Sequence, residues 1–368
     1  MAARNPEMDI LKGLGIIFMV YGHANGPEHR FFYLFHMAIF VIASGFFYKE
    51  RYGQSLPAAL DFIKRKLRTL YLPFVCFCLP FVLLNNFFID INFYTNNEAY
   101  LALNDSPFAV LHEYCRPARL AKEALASLFF LALPQLGAAL WFLRALLLVC
   151  LFHIVIDFFL QKTGWSAPRL LAAHAGIALL LLLIGPATQG ARLSPGFFLA
   201  QACSMYWLFV FGRLAQRLPF ATSLPGLVAV ALLSFLALLR LYGAGEIELS
   251  QNVYSGRLFF MAGSIAGWVW VYALSRLIAR RSGPARPAAL VGANSLVILA
   301  LHFACFKCVN VALTHLFGLP AFMAAAFPTL RADHGWWAVY LLAGVALPIL
   351  GKKIAVRLIA TAKRLFRA

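Results

Sequence analysis

Ten apolar stretches, each close to 20 residues long, punctuate this 368-residue chain and leave it few folds to choose from. They cover 9–26, 31–48, 70–90, 138–160, 170–188, 197–215, 223–242, 257–279, 288–311 and 336–356. A helix of that length crosses the ~30 Å hydrocarbon core of a bilayer. In lipid, only helices and closed barrels satisfy their own backbone polar groups. Composition points the same way, because 62% of residues are hydrophobic and only 12% charged, about half the charged share of a soluble domain. The predicted fold class is therefore all-α: a polytopic membrane protein of about ten transmembrane helices, one domain over 1–368. An eleventh apolar piece, 124–133, is too short to span and stops at Pro134.

Charge sets the orientation. Lys and Arg number 32 against 14 Asp and Glu, a formal net charge of +18. On a soluble surface such an excess would suggest nucleic acid as partner, but no basic domain stands free of the apolar runs, so nucleic acid is excluded. With the N-terminus inside, 22 of the 32 cations fall on inner segments, about eight on outer ones, and Arg144 and Lys307 within spans. That bias predicts cytoplasmic N- and C-termini. The longest outer segment, 91–137, carries Glu98, Asp105, Glu113, Arg116, Arg119, Lys122 and Glu123 and reads either as a substrate-facing lid or as a passive connector. No small-x-small cleavage site follows the apolar run 13–22, so the first helix is read as retained. Six of the seven cysteines lie in apolar runs, where Cys acts as a small hydrophobe. Cys305 and Cys308 lack the second ligand pair that zinc requires, and no metal is expected.

Ionisable groups inside a bilayer cost roughly 2.5–3.5 kcal/mol each, which makes them functional candidates. The first span holds three: Asp9, Lys12 and His23. At 100° per residue Lys12 and His23 fall within ~20° of one another, ~16 Å apart along the axis. Gly13 and Gly15 thin the same helix, so another backbone or a ligand can come close. Lys12 either snorkels to headgroups or faces a ligand. His36 opens the second span, and His302 lies in the outer half of the ninth, with Asn294 and Ser295 below it in NSLVILALH and Ser295 on nearly the same face. Three histidines thus reach similar outer depth, each a structural hydrogen-bonding group or part of a proton-transfer centre. An unperturbed pKa of ~6.5 suits the second role. Lys64, Arg65, Lys66 and Arg68 cluster on the second inner loop, either as positive-inside flanks or as a site for an anionic ligand. Trp141 and Arg144 share the fourth span, where Arg144 requires a polar cavity or an outer-loop carboxylate. There is no P-loop, Rossmann fingerprint, G-x-S-x-G elbow or H-E-x-x-H.

DILKGLGIIFMVYGH, FHMAIFVIASGFFYK and RKLRTLYLPF, in that order, resemble the N-terminal signature of the acyltransferase-3 family of bacterial membrane proteins, nearest its fucose 4-O-acetylase-like branch. LWFLRALL and NSLVILALH resemble two weaker downstream stretches; the likeness is dense over 8–74. Where many members carry an Arg, ten residues and a His, this chain has Lys12 and His23, and the usual FHMP reads with Ala38 in place of proline. Lys keeps the charge but not the bidentate fork. The resemblance implies an O-acyltransferase in the bacterial inner membrane, moving an acyl group, usually acetyl from acetyl-CoA, to a hydroxyl of a glycan or lipid-linked saccharide. It further implies that the donor's phosphates meet Lys64, Arg65 and Arg68, with its arm passing Lys12. His23 would be the general base or transient acyl carrier, with His36 and His302 in support and Trp141, Arg144, Asn294 and Ser295 toward the substrate. The rival from another class is a solute or glycolipid transporter, against which stands the absence of paired broken helices in two repeated halves.

Overall fold

The computed structural model describes residues 5–104, 106–185 and 193–365; Arg4, Asp105, Arg192, Arg367 and the end of the fifth predicted span, 186–188, lie outside them. The fold is all-α, with one pair of two-residue strands, Ile247–Glu248 and Val253–Tyr254, among the described residues. The helices that frame the molecule are α1 (Pro6–His23), α2 (Arg30–Tyr33), α3 (Ala38–Phe46), α4 (Leu56–Leu83), α5 (Trp141–Gln161), α6 (Ala167–Ile184) and α7 (Pro195–Ala215). They continue with α8 (Leu224–Tyr242), α9 (Arg257–Ala279), α10 (Ser282–Ala293), α11 (Ser295–Leu316) and α12 (Trp336–Leu365). Eight of the described helices, α4 to α9 with α11 and α12, are long and apolar enough to cross a membrane. The first two predicted spans are of another kind. α1 has 18 residues but carries Glu7, Asp9 and Lys12, and Arg30–Phe46 is short and broken between α2 and α3.

Several boundaries differ from the sequence reading. The third span starts at Leu56 rather than 70, because the Ser55 side chain caps the helix and Pro57 suits its first turn. The basic cluster therefore sits on a helix, not a loop, and the helix widens to a π turn over Leu67–Tyr71. The ninth span divides at Asn294 into α10 and α11. His36 falls in the turn joining α2 to α3 rather than opening a helix.

Glycines let the inner helices touch backbone to backbone. A Cβ on Gly13 would lie 2.2 Å from the Ala288 carbonyl oxygen, and one on Gly292 would meet the Asp9 carbonyl, so α1 and α10 cross in contact. α3 and α7 cross likewise, with Gly45 against the Phe209 carbonyl and Gly212 against that of Ile42. α7 lies near the centre, with 78% of its most apolar window buried, whereas α6 and α8, at 22%, form the rim. α1 packs against α9, α10, α11 and α12, which brings the face bearing Lys12 and His23 against other helices rather than lipid.

Candidate active site

His23 ends α1 and His302 lies in α11, and the two imidazoles stack with Nδ1 of His23 2.8 Å from Nε2 of His302. His302 turns Nδ1 toward the carbonyls of Ile298 and Leu299, at 3.0 and 3.1 Å. A carbonyl only accepts, so the hydrogen on His302 is at Nδ1 and its Nε2 is a bare lone pair. His23 must then donate through Nδ1, which leaves its own Nε2 as an acceptor. That atom has no hydrogen-bond partner among the described residues, and His23 is only half-buried. The Phe303 ring stacks on His23 at 4.8 Å and fixes its plane. His36 is buried at the same end, where its Nδ1 donates to the Phe32 carbonyl at 2.8 Å. The structure brings His23 and His302 together and records no direct bond from either to His36.

Below the pair, on the Lys12 side, opens a cavity of about 630 Å³. Its mouth carries Lys12, Lys49, Arg51, Arg65 and Lys66, and apolar side chains that include Ile16, Met37, Phe40 and Leu299 line much of the rest. Lys12 bonds Asp9 at 2.8 Å and remains 31% exposed, so it faces the cavity rather than lipid. Arg65 lies over the Tyr52 ring at 4.6 Å and donates to its hydroxyl at 2.8 Å. Of the cations singled out in the sequence, Lys12, Arg65 and Lys66 line this space, whereas Lys64 and Arg68 are exposed and do not. The helical periodicity of α4 explains the division, since Arg65 and Lys66 share the inward face with Phe62 and Leu70. Lys49 and Arg51 passed unnoticed because they read as ordinary inner-loop charge.

Ser295 also lines the lower cavity, close to Lys12. Asn294 is buried beside it and accepts from Lys352 Nζ at 2.8 Å. Both therefore sit at the Lys12 end, two helical turns from His302. Arg144 is buried, and of the two surroundings open to it, a polar cavity or an outer-loop carboxylate, the described residues place no carboxylate beside it. It donates to Gln201 at 3.2 Å and lies 3.8 Å over the Phe198 ring, while Trp141 packs edge-on to Phe142. Neither lines the lower cavity.

On the far side of the pair lies a second cavity, of about 490 Å³, edged by Asn25, Asn104, Ser106, Phe108, Phe327 and Thr329. Phe327 packs tilted against Phe303, the ring that covers His23, with centroids 4.6 Å apart. Lys307 holds this wall in place: its ammonium is buried and donates to the carbonyls of Ala325 and Ala326, at 2.5 and 2.9 Å. Asn310 adds bonds to Ala324 and Ala326. At the rim, the Arg331 hydrogen bond holds the exposed Asp333 carboxyl down to about 2.

A second histidine cluster escaped the sequence reading altogether. His153 and Asp157 on α5, His174 on α6, and Tyr206 and Arg213 on α7 form a closed, buried ring. Arg213 Nη1 donates to His153 Nε2 at 3.2 Å, His153 Nδ1 to the Tyr206 hydroxyl at 3.2 Å, and that hydroxyl to His174 Nδ1 at 2.9 Å. His174 Nε2 donates to Asp157 Oδ1 at 2.9 Å, and Arg213 lies 3.4 Å from the same oxygen. With both imidazoles neutral, every donor meets an acceptor. His153, Asp157 and His174 have metal-ligand spacing, but the guanidinium already contacts two of the atoms a cation would need and would repel it. The signal was available: ionisable residues four apart on an apolar span, which the counting of loop charges passed over.

A family profile described as an acyltransferase domain matches residues 5–351. No curated protein and no solved structure matches the chain.

Proposed function

The chain belongs to the acyltransferase-3 family, and on that premise we propose that it carries an acyl group, acetyl from acetyl-CoA, to a hydroxyl of a cell-surface glycan or lipid-linked saccharide in the bacterial inner membrane. The observation that carries this reading is the uncommitted Nε2 of His23, held by His302; the lining of the lower cavity reaches Leu299 and that of the upper one Asn25, two residues from His23. The donor enters the lower cavity from the cytoplasm, where the positive-inside bias puts the basic mouth. Its phosphates meet Arg65, with Lys66, Lys49 and Arg51 alongside. Its thioester points past Lys12 along the apolar walls. The acceptor comes from the upper cavity, whose amides, hydroxyls and phenyl faces suit a saccharide.

In the direct route, His23 Nε2 takes the hydroxyl proton while the oxygen attacks the thioester carbonyl. The C–S bond breaks, and the imidazolium returns the proton to the coenzyme A thiolate. In the relayed route, Nε2 itself attacks the thioester, the C–S bond breaks, and coenzyme A leaves as the thiolate beside an acyl-imidazolium. The sugar oxygen then attacks the acyl carbon, the C–N bond breaks, and the hydroxyl proton passes to the thiolate. The lining of the lower cavity reaches Leu299, one turn short of His302, and His23 lines neither cavity, so in either route the thioester has to travel beyond the lower cavity to meet Nε2. Nothing in the fold or family supports a solute transporter.

Membranes containing the chain, given radiolabelled acetyl-CoA, should move label into glycan, and the His23→Ala protein should not. Label that stays with coenzyme A in both would defeat the enzyme reading, and equal transfer by both would defeat the role of His23.

A further inference from the structure

The closed ring of α5, α6 and α7 has one arm that leaves it. Tyr48 follows α3, lines the lower cavity, and donates its hydroxyl to Asp157 Oδ2 at 2.5 Å. Behind the next residues of the same mouth, a Cβ on Gly53 would fall 2.3 Å from that same Oδ2. The carboxylate thus braces the segment 48–53 from behind at both of its ends. Within that segment stand Lys49, Arg51 and Tyr52, all facing the cavity. The Tyr48 ring also meets Tyr52 and Phe62 at 5.6 and 5.4 Å, and these are the two rings on which Arg65 lies. Lys66 lies over Phe62 as well, at 5.4 Å. A single chain of contacts therefore runs from a buried carboxylate, through one phenol, to the floor that seats the cations.

The ring is well suited to hold such an arm still. Each of its five members is fixed by at least two partners from another helix, and Arg213 continues outward to Glu50 at 3.5 Å, with Arg217 on the same carboxylate. The contact of α3 with α7, glycine on backbone, delivers Tyr48 beside Arg213, whose guanidinium lies 5.1 Å over its ring. None of this network reaches His23 or His302.

We infer that Asp157, Tyr48 and Gly53 are positioning residues for the anionic end of the acyl donor: the ring sets the geometry of Arg51, Arg65 and Lys66 without touching the donor. The inference rests on the donor reading of the lower cavity, and its test separates the two. Full-length protein in detergent is titrated with coenzyme A and with adenosine 3′,5′-bisphosphate, which carries phosphates but no pantetheine arm. Tyr48→Phe removes one hydroxyl and keeps the ring. Gly53→Ala forces the carboxylate aside.

Wild type should bind both ligands. Each variant should bind both between about twofold and tenfold more weakly at a temperature where all of it is folded, the range one hydrogen bond commands. Its Tm should fall somewhat below that of wild type, because a buried oxygen loses its partner or is crowded. Loss of both ligands in one ratio places the change at the phosphate end. If wild type binds neither ligand, the donor reading fails and this inference falls with it. If wild type binds and the folded variants bind equally well, so that any loss follows only the unfolded fraction, the donor reading stands and the positioning role is overturned.

Discussion

The two histidine pairs of this bundle differ in what they leave uncommitted. In the ring of α5, α6 and α7, every imidazole nitrogen is bonded. In the His23–His302 pair, three of four nitrogens are committed and the fourth, Nε2 of His23, is not. Polar groups are costly in a bilayer, and a closed network repays that cost in rigidity. An open end is where a proton or an acyl group can arrive. On this comparison one cluster reacts and the other holds, and each variant below tests that division.

The largest effect should fall on activity at the open pair. His23→Ala removes a general base or acyl carrier and should cut acetyl transfer by about 10²-fold or more, measured as labelled glycan per unit of folded protein, with Tm little changed. At the closed ring the loss should appear in stability instead. Asp157→Ala leaves Arg213 buried without its nearest carboxylate, a change that costs roughly 3–5 kcal/mol; Glu50, 3.5 Å from Arg213, holds the figure to the lower end. A fall in Tm in detergent, or loss of protein from the membrane, would register it. Were Asp157→Ala to fold like wild type yet abolish turnover, the ring would be reactive after all.

His302→Phe sharpens the pair itself. Phenylalanine keeps a ring against His23 but offers no acceptor to Nδ1–H, so the two tautomers of His23 become competitive and Nε2 is no longer always bare. A kcat about tenfold lower, the worth of one hydrogen bond, is expected, with KM for acetyl-CoA unchanged. An unaltered kcat would mean that His302 only fills space.

What the sequence disclosed follows the same division. Apolar length reveals helices, because hydrocarbon thickness is a fixed ruler. A period of 3.6 put Lys12 and His23 on one face, and the helix packing keeps that face inside. Harder to read were contacts made between distant segments. His153, Asp157 and His174 look like isolated polar residues until α5, α6 and α7 assemble, and Lys49 and Arg51 look like topology signals until Tyr48 folds back onto Asp157. The break at Asn294 was hidden too, because α10 continues the apolar pattern into α11 without a proline at the junction. Arg144 misled for a further reason: its partners, an amide and a phenyl ring, carry no charge by which to guess them.

The smallest effect should come from Lys12, and it bears hardest on where chemistry stops. Lys12 shares the stripe with His23 but faces the lower cavity, partly solvated and paired to Asp9. A contact between a donor phosphate and an ammonium this solvated, 31% exposed, is worth about 0.2–1 kcal/mol, so Lys12→Met should raise KM for acetyl-CoA up to about fivefold and leave kcat within twofold. Lys12→Arg keeps the charge and should restore KM. The split between KM and kcat is the discriminating reading. If Lys12→Met lowers kcat as far as His23→Ala does, the ammonium acts in the transition state, and the reacting centre extends down the whole stripe instead of ending at the histidine pair.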